Sequence, residues 1–98
     1  MPLDPALAAE VRAWLAKAAD DLRAGEFEKE AHPPLAFDIV FHAQQAAEKA
    51  MKGFLTLHGR TFRKTHNLVE IGEVCAAIDP ALEPLLRRAA PLTEYAWK

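Results

Sequence analysis

Between Pro33-Pro34 and Gly59 the chain runs from Leu35 to His58 with apolar residues at helical spacing on more than one face. Val40, Ala43, Ala47, Met51 and Phe54 follow one stripe, and Phe37, Phe41 and Leu55 follow a neighbouring one. A helix that is apolar on two sides has to be covered on two sides, so this segment predicts a central helix with partners on both flanks. The small Ala43, Ala46, Ala47 and Ala50 let another helix come close. No alternating apolar run, no cluster of β-branched residues and no hairpin dipeptide occurs anywhere, which excludes a sheet.

The flanking segments supply the partners. Asp4-Pro5 is a helix start, an N-cap side chain followed by the one helical position where a missing N–H costs nothing. Leu7, Val11, Trp14, Leu15, Ala18 and Leu22 then recur at helical spacing, and Gly25 predicts the end of this first helix. Residues 26–34 are charged, end in two prolines and predict a loop. After a basic loop, Arg60 to Lys64, Thr65 predicts the N-cap of a third helix bearing Leu68, Ile71, Gly72 and Cys75 on one face. Asp79-Pro80 repeats the start signal, and a fourth helix from about Glu83 to Lys98 is expected to bend near Pro91. The expected fold is all-α, an antiparallel up-and-down four-helix bundle formed as one domain over residues 1–98.

Length and charge narrow the function. A chain of 98 residues buries only about 60–65% of its unfolded surface, so its stability is marginal without help. One cysteine, Cys75, excludes an internal disulfide and fits a reducing cytoplasm; no signal segment or membrane span is apparent, and a cytoplasmic location is expected. The formal net charge of −2 argues against a general nucleic-acid coat. Its distribution is uneven, however: Lys49, Lys52, Arg60, Arg63 and Lys64 fall between residues 49 and 66 with no acidic residue among them. That cluster is either a localised anion site or a solvated helix end with its loop.

Polar residues on the central helix sharpen the question. His42, Gln45, Lys49 and Lys52 lie along one continuous face, and Gln44, Glu48 and Lys52 form a second row at i+4 spacing. Glu48 and Lys52 can pair across a turn for a few tenths of a kcal/mol, roughly the value of an exposed helix pair. The glutamines either pack within or between helices, or contact a ligand. His66 is placed in the first turn of the third helix, where open N–H groups can receive an anion, with Arg60, Arg63 and Lys64 just upstream. A histidine beside a phosphate held by arginine suits general acid–base attack of a ribose 2′-hydroxyl on its own phosphodiester without a metal. The bland alternative is a histidine that fills the helix start. His58 and His66 have no nearby carboxylate or thiol at metal-ligand spacing and His32 falls in a loop, so no metal and no other cofactor is expected. Cys75 on an apolar helix face reads as core.

These motifs together resemble the HEPN domain, a small prokaryotic helical domain often encoded beside a minimal nucleotidyltransferase. The resemblance rests on Trp14 with Ala18-Ala19-Asp20-Asp21-Leu22, on Phe41-His42-Ala43-Gln44-Gln45-Ala46-Ala47-Glu48-Lys49-Ala50 with Lys52, on Thr65-His66-Asn67-Leu68, and on Leu92-Thr93-Glu94-Tyr95-Ala96. It implies a homodimer of helical bundles, with a minimal nucleotidyltransferase as an expected partner. It also implies one of two fates: a metal-independent ribonuclease, often a toxin of a two-gene pair, or a non-catalytic protein that binds RNA or nucleotide or assists the nucleotidyltransferase. Nuclease members carry an Arg, four to six residues, then His; Arg60 and His66 have that spacing here and are the expected catalytic pair. Lys49, Lys52, Arg63, Lys64, His42 and Gln45 are the expected RNA- or nucleotide-binding residues. Thr61 follows Arg60 where nuclease members place Asn, Asp or His, and Leu68 stands where members regulated by adenylylation carry Tyr. Similar chains continue past the Tyr95 region with a further helix, so apolar surface near Trp97 is expected to be covered by association.

Overall fold

A computed structural model describes residues 3–96. Four α-helices pack against one another: α1 (Pro5–Lys29), α2 (Ala36–Leu57), α3 (Leu68–Ile78) and α4 (Glu83–Ala89). Short 3₁₀ segments, Pro80–Leu82 and Ala90–Tyr95, precede and follow α4. No strand occurs among the described residues. The molecule is elongated, 49 × 26 × 23 Å, because α1 and α2 form one long hairpin against which the shorter elements gather. No helix among the described residues is long and apolar enough to cross a membrane.

Local chemistry explains most boundaries. Asp4 caps α1, its side chain accepting from the Leu7 amide at 3.2 Å, and Pro5 opens the helix. The expected stop at Gly25 does not occur: α1 continues to Lys29. Gly25 keeps a helical backbone, and the apolar contact of the hairpin outweighs its roughly 1 kcal/mol propensity cost. The predicted loop over 26–34 therefore shrinks to the residues between Lys29 and Ala36. The second helix matches its expected limits, with Gly59 adopting a φ of +65° just beyond it.

Two corrections bear on the site. The N-cap of α3 is Asn67, not Thr65: Asn67 Oδ1 accepts from the Val69 and Glu70 amides at 2.9 and 3.2 Å. Thr65 Oγ1 accepts from the Asn67 amide one step earlier, a turn that precedes the helix. His66 therefore lies before the cap and outside the first helical turn. The single fourth helix is also replaced, since α4 ends at Ala89 and the chain tightens into the 3₁₀ segment containing Pro91. A proline there cannot donate the backbone bond that a continuing α-helix requires. Trp97, expected to lie near associating surface, falls outside the described residues.

The core is small and sits around the second half of α2. Met51 and Leu55 from α2 meet Leu68, Ile71 and Cys75 from α3, with Phe54, Phe62, Leu86 and Leu92 packed around them. Between α1 and α2 the approach is close because Gly53 carries no side chain: a Cβ there would stand 3.2 Å from Trp14 Cβ. The centre of the Trp14 ring lies 5.7 Å from Lys52 Nζ on α2.

Candidate functional site

Gln44, Glu48 and Lys52 form the row that the i+4 spacing marks, and the structure buries all three rather than placing Glu48 and Lys52 on the surface. Gln44 is 0% exposed, Glu48 3% and Lys52 7%. Lys52 Nζ donates to Glu48 Oε2 at 2.9 Å. The ammonium also lies 5.7 Å from the centre of the Trp14 ring and 5.8 Å from that of Phe62, two rings set edge-on to each other. A desolvated cation gains from such aromatic neighbours in addition to its carboxylate. Phe62 comes from the loop after α2 and Trp14 from α1, so three parts of the chain converge on one charge.

The other Glu48 oxygen receives the loop. His66 Nδ1 donates to Glu48 Oε1 at 2.8 Å, and Gln44 Nε2 donates to the same oxygen at 3.1 Å. Gln44 Nε2 also donates to the backbone carbonyl of His66 at 3.2 Å, while Gln44 Oε1 accepts from Gln45 Nε2 at 2.6 Å. No buried side-chain polar atom among the described residues is left unsatisfied. Burial pushes the Glu48 carboxyl up, but the hydrogen bonds from Lys52, His66 and Gln44 outweigh it and hold the group below its usual range. Glu48 is therefore an anion at neutral pH. An ionised carboxylate only accepts, so His66 must carry its proton on Nδ1.

The remaining cations of the basic segment are distributed differently from a single patch. Lys49 Nζ is 2.6 Å from Asp21 on α1. Arg63 meets Glu70 through two hydrogen bonds, at 2.8 and 3.1 Å, and these hold the Glu70 carboxyl below its ordinary range. With Lys52 paired to Glu48, three of the five cations face carboxylates of their own chain. Arg60 and Lys64 are exposed and form no ion pair among the described residues. His42, on the hairpin side of α2, donates to Glu28 at 2.8 Å and to the Asp38 carbonyl at 3.1 Å. Gln45 is held by Gln44 as described. The structure thus gathers His66 with Gln44, Glu48 and Lys52, leaves Arg60 and Lys64 in the adjoining loop, and ties His42 and Lys49 to α1. No cluster of three or more metal-ligating side chains occurs among the described residues.

Glu48 and Gln44 are the members of this constellation that the spacing did not single out as functional. Their signal lay in the row they share with Lys52, in a helix whose two flanks are both covered. A buried i+4 ion pair next to an incoming histidine defines a class: small helical bundles with a polar network on the central helix. Within that class a family model for the HEPN domain matches residues 11–98, nearly the whole chain, and the protein belongs to the HEPN family. Comparison with curated proteins and with solved structures gives no match.

Proposed function

We propose that this HEPN protein binds RNA through the loop from Arg60 to His66, pairs with a second copy of itself, and cleaves the RNA without a metal. In this reading His66 takes the proton of a ribose 2′-hydroxyl as its oxygen attacks the neighbouring phosphorus. The P–O5′ bond breaks and the departing 5′-oxygen takes a proton from water, giving a 2′,3′-cyclic phosphate and a free 5′-hydroxyl. Arg60 holds the phosphate and stabilises its developing charge, with Lys64 assisting. The observation that carries the reading is the 2.8 Å hydrogen bond to a buried anionic carboxylate from His66, whose loop also carries the exposed Arg60 and Lys64. Pairing is supported by the apolar side chains left on the α1–α2 hairpin: Leu15 and Leu22 two turns apart on α1, with Phe27, Leu35 and Phe37 at its tip. The protein would then serve as the toxin half of a pair with a minimal nucleotidyltransferase.

The test uses single-stranded RNA with wild-type protein, His66→Ala and the double variant Arg60→Ala/Lys64→Ala. Cleavage is expected to fall by about 10²–10⁴-fold in His66→Ala. The double variant should lose affinity across all sequences, and its salt slope should drop by about 1.4, two contacts at roughly 0.7 each. Equal cleavage by wild type and His66→Ala removes the proposed role. The internal pairing of Lys49, Lys52 and Arg63 favours a second reading, a non-catalytic module whose polar network stiffens a surface for a nucleotidyltransferase. Capture of that partner, with neither RNA nor nucleotide bound, would support it.

A further inference from the structure

We propose that Glu48 is a positioning residue for His66, fixing the ring's tautomer and direction, with Gln44 and Lys52 completing the mount. The inference rests on the reading of His66 as the group that moves the proton. An imidazole presents two different nitrogens, and the partner of one decides what the other can do. Here Nδ1 is engaged at 2.8 Å by a carboxylate that is 3% exposed, whereas the His66 side chain itself is 42% exposed. In the ribonuclease reading, proton exchange with the ribose is therefore assigned to Nε2. In the neutral ring Nε2 is the basic nitrogen, as a general base requires, and the carboxylate steadies the imidazolium that forms.

The other contacts serve the same end. Gln44 grips the His66 backbone carbonyl and the same Glu48 oxygen that the ring uses, so the residue is held at main chain and side chain together. Lys52 supplies the countercharge that keeps a buried Glu48 anionic, and the Trp14 and Phe62 rings enclose that ammonium from α1 and from the loop. The groups facing Glu48 are thus Lys52 and Gln44 from its own helix and His66 from the loop. A structural ion pair alone would need neither the histidine nor the second grip on its carbonyl.

The experiment reads tautomer and turnover separately. In ¹⁵N-labelled wild-type protein, nitrogen–proton correlation of neutral His66 is expected to place the proton on Nδ1. A proton on Nε2 overturns the assignment of Glu48 whatever the protein does to RNA. Because removing one charge of a buried pair can unfold the protein, the variant is Glu48→Leu/Lys52→Met, which removes both charges. With helical content retained, its His66 should move to the Nε2–H tautomer that an unconstrained imidazole prefers. Its kcat on RNA should fall by about tenfold or more while KM is unchanged. Wild-type turnover in that variant overturns the positioning role. Equal cleavage by wild type and His66→Ala would instead sink the ribonuclease reading, and the tautomer measurement keeps the two failures apart.

Discussion

Glu48→Ala is expected to lower the stability of the protein by about 3–5 kcal/mol, the range for removing one partner of a buried ion pair. The loss has three parts. Lys52 would keep its charge in a site closed by Trp14 and Phe62 with no carboxylate to answer it. Gln44 and His66 would each lose an acceptor. A domain of this size has roughly 5–15 kcal/mol of stability in total, so the variant stands near the folding threshold. Urea unfolding followed by circular dichroism measures the change, and the paired variant Glu48→Leu/Lys52→Met is expected to recover most of it. If Glu48→Ala unfolds at the wild-type midpoint, the network contributes little and the buried anion is misplaced.

The same carboxyl gives the protein a predicted acid limit. Its pKa in the folded state lies below the ordinary value, so the folded state binds its proton less readily than the unfolded chain does. Its stabilising contribution is present in full above the ordinary carboxylate pKa and is lost as the pH falls through the depressed folded value. Unfolding midpoints of wild type should decline on acidification below that ordinary range. Glu48→Leu/Lys52→Met should lose less over the same interval.

This network also marks how far the residues could be read in advance. The helical order, the limits of α2 and the apolar face of α3 follow from periodicity, Pro33-Pro34 and Gly59, because those signals are local. The end of α1 was not legible, since Gly25 is a stop signal that helix packing overrides. Asn67 and Thr65 are both competent caps two residues apart, and only the three-dimensional path of the loop selects between them. For the site, spacing alone aligned Gln44, Glu48 and Lys52. It could not reveal that Trp14 and Phe62 roof the row, and a surface pair is worth far less than a buried one. The basic segment was legible as a count of charges. Its partners Asp21, Glu48 and Glu70 lie 28, 4 and 7 residues away from their cations, two of these reached only through folding of the hairpin or loop.

Leu55→Ala is expected to cost about 2–5 kcal/mol, the range for truncating a fully buried leucine. Leu55 is 0% exposed and stands in the cluster that joins α2 to α3, among Met51, Leu68, Ile71 and Cys75. Those neighbours are fixed by helix backbones on both sides, so the site can collapse only partly and the cavity adds to the lost transfer energy. Because α3 begins at Leu68, two residues after His66, loosening this contact also loosens the loop that brings the histidine to Glu48. The measurement is a urea midpoint that falls while the denaturant slope stays constant. Leu22→Ala is the contrasting variant: the side chain is 60% exposed on α1, and its truncation within a monomer should change stability little. If α1 pairs with a second copy, the effect of Leu22→Ala should grow with protein concentration, whereas that of Leu55→Ala should not follow the same trend. A Leu55→Ala protein as stable as wild type would mean that the α2–α3 contact is not the core of this fold.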